Sequence, residues 1–236
     1  MSVIARNECT DKPECNRVAG ECMFLEGKGI VAPQRVSCKI TMGMLAHLHE
    51  VAKRRDAYRK YGERTDIWGQ GLRPSQYIPS LGWVKQSVVP ILYGLIGEVC
   101  VSNYVNALIG ATICQPDLSD RAEGDGGEDF QICGVIIDVK LKGTRDGQNL
   151  VRRTDEYKKI LPLKADIFVF CLWNPRVSTL NAYLLGWAEK VVVEDCFVSP
   201  SNVAGHLNFV VDNNKLNQMS DLYPYCLHSR QRKTWR

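Results

Sequence analysis

The order of hydrophobic and polar positions divides the chain into a helical first half and a strand-rich second half. Residues 1–40 are polar, contain glycine and show no period. An apolar stripe with helical spacing then follows a threonine suited to cap a helix, and it predicts a helix over residues 42–61. Residues 62–87 are rich in glycine, proline and aromatic residues and indicate a long connection. A second, more apolar helix is predicted from Pro90 to about Leu108, because proline suits the first helical turn.

Beyond the second predicted helix the pattern changes to the alternation that is typical of β-strands. A polar, acidic loop is predicted over residues 115–129, and a short helix or loop over residues 152–162. Strands are predicted at residues 128–132, 135–140, 166–173, 180–187 and 207–211. Helices followed by strands favour the α/β class, with one central mixed β-sheet flanked by helices. We expect residues 1–85 to form an irregular segment plus a packing helix, and residues 86–236 to form the core with a basic C-terminal tail.

Composition and charge exclude several classes of protein. The chain has 236 residues, of which 45% are hydrophobic and 24% charged, so it can bury a large core and is neither disordered nor fibrous. Its formal charge of +4 is too small to identify a partner. The longest apolar run, Val88 to Gly97, is shorter than the roughly 18–20 residues of a membrane span. The N-terminus lacks the apolar core of a signal peptide. These features predict a soluble, cytoplasmic protein with no membrane partner.

The ten cysteines are interpreted mainly as reduced thiols, because disulfide frameworks belong to short secreted chains. Several lie inside apolar stretches, where a thiol packs as a small hydrophobic group. Cys9, Cys15, Cys22 and Cys38 leave a zinc site open as an alternative. No pair among them has the two-to-four-residue gap that structural zinc sites favour, so plain thiols are preferred.

Residues 128–140 combine a strand pattern with charged side chains. If residues 133–134 form a two-residue turn, counting outward fixes the register of a hairpin and places Asp129 directly opposite Asp138. One face of this hairpin is then entirely apolar, and the other carries both aspartates and Lys140. The Cβ atoms of the two aspartates are expected about 4.5–5.5 Å apart.

Two facing carboxylates repel each other, and a divalent cation removes that penalty. Mg²⁺ prefers oxygen ligands, usually carboxylates, water and phosphate oxygens. A neighbouring ammonium group, here that of Lys140, can orient the attacking water and offset charge that develops on phosphorus. Glu98 is a candidate third acid, because it lies mid-helix in an apolar setting where a carboxylate needs a partner. The alternative is a surface hairpin in which Lys140 simply pairs with Asp138.

The motifs that carry a family resemblance are GlyGluVal at 97–99, GluAspPheGlnIle at 128–132, IleAspValLys at 137–140, AlaAspIlePheValPhe at 165–170 and TyrLeuLeuGlyTrpAla at 183–188. Together they resemble the PD-(D/E)XK nuclease superfamily, whose fold is restriction-endonuclease-like, and phage and bacterial members look most similar. The resemblance covers about residues 90–211. It implies that Asp129 and Asp138 are metal ligands, Lys140 the catalytic lysine and Glu98 the helical acid. These three acids and the Val139 carbonyl would hold one or two Mg²⁺ ions, for which Mn²⁺ can substitute.

The resemblance implies a Mg²⁺-dependent DNA endonuclease that hydrolyses phosphodiester bonds and leaves a 5′-phosphate and a 3′-hydroxyl. Basic residues after the catalytic strand are expected to contact DNA phosphates. They are Arg145, Arg152, Arg153, Lys158 and Lys159. Cutting both strands at once requires two active sites, so a homodimer is expected. The expected location is the cytoplasm of a prokaryotic or phage-infected cell.

Three alternatives remain. Pro116-Asp117 is a literal Pro-Asp pair, but its surroundings are loop-like and it lacks the counted pairing to Asp138, so Asp129 is preferred. A structure-selective nuclease, an exonuclease or a recombination nuclease would use the same residues on another substrate. A non-catalytic DNA-binding or assembly protein would keep the fold without the chemistry.

Overall fold

The computed structural model describes residues 34–61, 75–119, 128–144, 147–154, 159–200 and 207–234. The helices are α1 (Met42–Tyr61), α2 (Val88–Ile109), α3 (Lys190–Glu194) and α4 (Leu222–Thr234). The strands are β1 (Val36–Lys39), β2 (Ser75–Ile78), β3 (Gly82–Lys85), β4 (Phe130–Ile132), β5 (Val135–Lys142), β6 (Asn149–Arg152), β7 (Ile167–Leu172), β8 (Asn181–Glu189), β9 (Phe197–Pro200) and β10 (Leu207–Val211). The described residues belong to one compact unit, in which residue 85, where a boundary is expected, is the last residue of β3.

The central sheet has five strands in the order β1-β8-β7-β5-β4. Strands β5 and β7 are parallel, and the other neighbouring pairs are antiparallel. A second sheet has the order β6-β10-β9, and β2 and β3 form a separate hairpin. The prediction of a mixed α/β fold with a central mixed sheet flanked by helices is therefore confirmed at that level.

The two faces of the central sheet pack against different layers. Ile137 and Val139 of β5 belong to a core that also includes buried residues of α1, α2 and α4. Phe168 and Phe170 of β7 belong to a second core, shared with residues of β6 and β10. The order of layers is therefore helices, central sheet and second sheet. Any side chain on β5 faces one layer or the other according to the parity of its position.

Helix α2 is the most deeply buried helix-forming segment of the central core. An 18-residue window of it has a mean hydropathy of 1.5, which by length and composition alone is enough to cross a membrane, and 72% of that window is buried inside the structure. The helix is therefore longer and more apolar than the run that ends at Gly97 suggests. A helix that is apolar on all sides needs surroundings that are apolar on all sides, and the two-sided packing of α2 supplies them.

Short strands account for most differences between the predicted and observed elements. The helix over residues 42–61 is confirmed, and the strands expected near residues 166–173, 180–187 and 207–211 are present as β7, β8 and β10. The expected connection over residues 62–87 contains the β2–β3 hairpin, and β1, β6 and β9 were not predicted. The segment expected as a helix or loop at 152–162 begins with the end of β6, and Thr154 forms an isolated bridge with Ile160. Four-residue strands show too few alternations to stand out from loop sequence.

Candidate active site

The β4–β5 hairpin has the register that counting from the sequence predicts. Phe130 pairs with Ile137, Gln131 with Ile136 and Ile132 with Val135. Cys133 and Gly134 form the turn with φ angles of 52° and 79°. Two successive positive φ angles are the mark of a type I′ turn, whose twist matches that of the strands it joins. The turn therefore sets which side chains of β5 share a face.

Asp129 lies one residue before β4 and bonds to the backbone on both sides of Asp138. Its N–H donates to the Ile137 carbonyl oxygen at 2.9 Å, and its carboxylate Oδ2 accepts the Val139 N–H at 2.5 Å. The side chain thus takes the acceptor role that a backbone carbonyl has in a continuing ladder. This arrangement places the Asp129 carboxylate next to the backbone of Asp138.

Asp138 and Lys140 form an ion pair on the face of β5 that is turned toward the second sheet. The Lys140 Nζ lies 2.7 Å from the Asp138 Oδ2, and the two side chains are 33% and 8% exposed. In the parallel ladder Asp138 is level with Phe168 and Lys140 with Phe170, and both phenylalanines belong to the core between the two sheets. The carboxylate is therefore buried, while the lysine retains access to solvent.

Each carboxylate of the hairpin is compensated by a donor of the protein itself, so the two aspartates do not face each other as bare, repelling charges. The ammonium of Lys140 lies against Asp138, and the Val139 N–H lies against Asp129. The Lys140–Asp138 pairing matches the alternative interpretation of the sequence. Its setting does not, because Asp138 is buried beside the core between the two sheets and does not lie on the surface.

Glu98 is buried on α2, at 7% exposure, but α2 packs against the other face of β5. The contact is closest at Gly97, where an added Cβ would lie 3.0 Å from Val139 Cγ1. Val139 points to the helices, whereas Asp138 and Lys140 point to the second sheet. Within the described ranges, no group of three His, Cys, Asp or Glu side chains is placed to hold a metal ion. The structure thus brings Asp129 and Asp138 together, and it does not assemble Glu98 with them into one cluster.

The chemistry of the donors fits a hard divalent cation. Asp129 and Asp138 provide carboxylate oxygens, and the Val139 carbonyl, also predicted as a ligand, lies on the strand segment between Asp138 and Lys140. Mg²⁺ is commonly held by one or two carboxylates and completes its coordination with water and phosphate oxygens. Carboxylate and carbonyl oxygens suit Mn²⁺ as well. Two carboxylates are therefore a sufficient protein contribution.

Asp117, the alternative first carboxylate, is held by α1. The Arg55 Nη2 donates to the Asp117 carbonyl oxygen at 2.5 Å and lies 3.9 Å from its carboxylate Oδ2. The other carboxylate oxygen accepts the Ser119 N–H at 2.9 Å, which closes a local turn. These contacts give the residue a structural role in the loop after α2.

The structure describes three of the five predicted DNA-contacting residues. Arg152 is exposed at the end of β6, and its Nε donates to the Thr154 carbonyl oxygen at 2.7 Å. The guanidinium of Arg153 lies 5.4 Å from the centroid of the Phe209 ring. Lys159 is exposed, and Arg145 and Lys158 lie outside the described residues. Arg152 ends β6 of the second sheet and Arg153 follows it, and this sheet covers the side of the central sheet to which Asp138 and Lys140 point.

Cys38, one of the four cysteines considered for zinc, packs against α2, and the other three lie outside the described residues. Its Sγ donates to the Cys100 carbonyl oxygen at 3.8 Å. All seven cysteines in the described part of the chain are free thiols. Five of these seven thiols are buried, and those of Cys38 and Cys133 are partly exposed.

Asp166 is a positioning residue that the sequence pattern did not single out. Its carboxylate Oδ2 accepts the Ile136 N–H at 3.0 Å, and its own N–H donates to the Ile136 carbonyl oxygen at 2.8 Å. Asp166 at Ile136 and Asp129 at Val139 therefore hold β5 on either side of Asp138. An aspartate directly before a fully apolar strand was the available signal, but its partner is 30 residues away in the chain.

Comparison of the chain with protein-family models, with curated proteins and with solved structures gives no match. The function is therefore argued from the geometry of this site.

Proposed function

We propose that the protein is a metal-dependent DNA endonuclease of the PD-(D/E)XK type, built on a restriction-endonuclease-like variant of the mixed α/β fold. In this proposal Asp129 and Asp138 hold Mg²⁺ or Mn²⁺, with the Val139 carbonyl as a further ligand. Lys140 is the catalytic lysine, and Glu98, which lies on α2 at the other face of β5, is given no ligand role. The observation that carries the proposal is the hairpin, in which the Asp129 carboxylate accepts the Val139 N–H, directly beside the ion pair of the buried Asp138 with Lys140.

The burial of the Asp138 carboxylate argues for a function beyond stability. Transferring a carboxylate out of water costs several kcal/mol, and an apolar residue of similar size is often as stable or more stable. Asp138 is only 5% exposed, and the neighbouring strand β7 is entirely buried, so an apolar side chain would pack there readily. A second carboxylate beside the pair increases the local negative charge further. A site that binds a cation and a phosphate explains why these polar groups are present.

Each residue then has a definable task. The bound metal ion would supply Lewis-acid stabilisation of the phosphate and a bound water of lowered pKa. The Lys140 ammonium, steered by Asp138 at 2.7 Å, lies where it can position a water molecule and offset negative charge on the phosphate. Arg152 and Arg153 can contact the DNA backbone, which fixes the position of the duplex without reading its sequence. Hydrolysis of the phosphodiester bond would leave a 5′-phosphate and a 3′-hydroxyl.

The direct test is incubation of supercoiled plasmid with the full chain in Mg²⁺, in Mn²⁺ and in EDTA. We expect nicking or linearisation in either metal and none in EDTA, and we expect Asp138→Asn, Asp129→Asn and Lys140→Met each to abolish it. Asp117→Asn is the matched control for the first carboxylate and Lys190→Met for the lysine, since Lys190 forms an exposed pair with Glu194 at 3.9 Å. Both control variants should cleave normally. Cleavage that persists in EDTA, or that is lost in Asp117→Asn but not in Asp129→Asn, would refute the assignment.

The products also report on the assembly and on the alternatives. Linear plasmid that appears without a nicked intermediate is expected of a homodimer with two active sites. Degradation from ends only would favour the exonuclease alternative. Tight DNA binding with no cleavage in either metal would favour the non-catalytic DNA-binding protein.

A further inference from the structure

The outer face of the β2–β3 hairpin carries two exposed aromatic side chains in a fixed arrangement. Tyr77 and Trp83 are direct cross-strand partners, and their ring centroids are 5.6 Å apart with an interplanar angle of 66°. They are 55% and 72% exposed, whereas Ile78 and Val84 on the inner face are 0% and 1% exposed. The inner face anchors the hairpin on the core. The aromatic rings are therefore presented to solvent from a rigid support.

A pocket of about 560 Å³ lies beside Trp83, between the hairpin and α1. Its lining is formed by His49, Lys53, Asp56, Ala57, Trp83 and Lys85, with Val88 at the start of α2. The four residues from α1 have spacings of four, three and one, which place them on one face of the helix. The volume lies within the range of about 300–1,000 Å³ that is usual for small-molecule sites. The pocket thus combines one large aromatic face with several polar groups.

The polar groups of the pocket are suited to an anionic ligand with hydrogen-bonding edges. The buried Asp56 carboxylate, 5% exposed, holds the Lys85 ammonium at 3.0 Å, and Glu50 holds the Lys53 ammonium at 2.6 Å. An ammonium has three donors, so a lysine that is oriented by one carboxylate can also bind a phosphate oxygen. Burial lowers the pKa of His49, and the positive charge of Lys53 lowers it further. A neutral imidazole offers one N–H donor and one nitrogen acceptor.

We propose that this pocket binds an unpaired nucleotide, with its base stacked on Trp83 and its phosphate held by Lys53 and Lys85. An exposed aromatic ring stacks on any base, and neighbouring lysines track the backbone, which is the arrangement found in proteins that bind single strands. The preference for a single-stranded segment of nucleic acid over a free nucleotide rests on the proposed nuclease function. The stacking site itself does not.

The test is the affinity of the full chain for three probes in EDTA, so that no cleavage occurs. Two probes carry fluorescein: an oligothymidylate of fifteen nucleotides and a mixed-sequence duplex of about the same length. Thymidine monophosphate is the third probe and is used as an unlabelled competitor. Stacking of one base on an aromatic ring is worth about 1–3 kcal/mol, so Trp83→Ala should weaken oligothymidylate binding roughly 5- to 160-fold. Duplex affinity should stay unchanged, and Trp83→Phe should retain most of the single-strand affinity. Phe197→Ala is the matched control, because Phe197 is 74% exposed on β9, in the other sheet.

The outcomes separate this proposal from the nuclease proposal. Equal competition by the monophosphate and the oligonucleotide supports the pocket and assigns it to free nucleotides. An equal effect of Trp83→Ala and Phe197→Ala, or an equal loss of single-strand and duplex affinity, overturns it. Because Trp83 is exposed, its variants should unfold at the parent's urea concentration, which checks that the fold is intact. Cleavage that fails in Mg²⁺ while Trp83→Ala still weakens single-strand binding would refute the nuclease and leave this site standing.

Discussion

Replacing Lys140 by Met removes the ammonium group from a buried carboxylate while keeping the length and the apolar part of the side chain. Removing one partner of a fully buried ion pair costs about 3–5 kcal/mol, whereas an exposed pair contributes about 0.2–1 kcal/mol. The Asp138 side chain is 8% exposed and that of Lys140 is 33% exposed, so this pair lies between the two cases. We expect Lys140→Met to lower the free energy of unfolding by about 2 kcal/mol. For a unit of this size that corresponds to a fall in Tm of about 4–8 °C.

Urea unfolding in EDTA, followed by far-UV circular dichroism, measures this loss without any contribution from a bound metal. Lys53→Met is the matched control, because Lys53 forms an equally short pair with Glu50, at 2.6 Å, but both side chains are about half exposed. The control should change the free energy of unfolding by no more than about 0.5 kcal/mol. The double variant Asp138→Asn/Lys140→Met should recover most of the loss, because it removes both charges at once.

Two results would refute the reasoning. The first is a Lys140→Met protein no less stable than Lys53→Met, which would mean that the carboxylate of Asp138 is well solvated. The second is a double variant as unstable as the single one, which would assign the loss to packing of the lysine stem and not to an uncompensated charge.

Three further predictions concern the supports of the site and the fold. Asp129→Ala should lower the free energy of unfolding by about 1–3 kcal/mol in urea titrations, because a strand N–H loses its acceptor. Asp129→Asn keeps an acceptor oxygen and should be nearly as stable as the parent. Neither variant should cleave plasmid. Burial raises the pKa of the Cys114 thiol from 9.0 to about 11, so this thiol ionises at a lower pH in the unfolded chain than in the folded protein. The free energy of unfolding should therefore fall as the pH rises from about 9 to about 11. A Cys114→Ala protein whose urea midpoint declines just as steeply over this range would contradict the prediction. Gly186 has a φ of 142°, and an added Cβ would lie 2.6 Å from the Asn217 carbonyl oxygen, so Gly186→Ala should lower Tm by several degrees. Gly43→Ala is the control and should leave Tm unchanged, because an added Cβ there would have nothing within 4 Å. Equal melting temperatures of the two variants would show that the backbone at Gly186 adjusts freely.

The features predicted correctly from the sequence are those encoded locally. The register of the β4–β5 hairpin follows from one two-residue turn and an alternation with period two, so it needs no knowledge of the rest of the fold. The apolar face of the hairpin identifies the side that is buried, and the adjacency of Asp129 and Asp138 follows from the same count. The packing of the folded protein agrees with this pattern, because the apolar face of the hairpin lies in the core shared with the helices.

The features that were not predicted depend on partners distant in the chain. A four-residue strand such as β6 is recognisable only when β10, about sixty residues later, pairs with it. The face on which Glu98 lies relative to Asp138 depends on how α2 crosses β5, and the periodicity of the helix does not contain that information. The pocket at Trp83 joins a helix face to a hairpin that was interpreted as a connection. In each case the missing information is which distant segments contact each other, and local sequence propensities do not encode it.

The unequal lengths of β4 and β5 have a consequence for the behaviour of the protein at high concentration. Strand β4 pairs with only the first three residues of β5, and β5 continues to Lys142, so in the described part of the chain its edge beyond Ile137 has no neighbouring strand on that side. An open edge of this kind is a template on which another chain can add a strand and begin to aggregate. The Asp129 carboxylate occupies the Val139 N–H at that edge, and inward-pointing charges follow at Asp138 and Lys140. Substitutions that neutralise these charges to study catalysis would therefore also make self-association at this edge easier, and the solubility of such variants would fall.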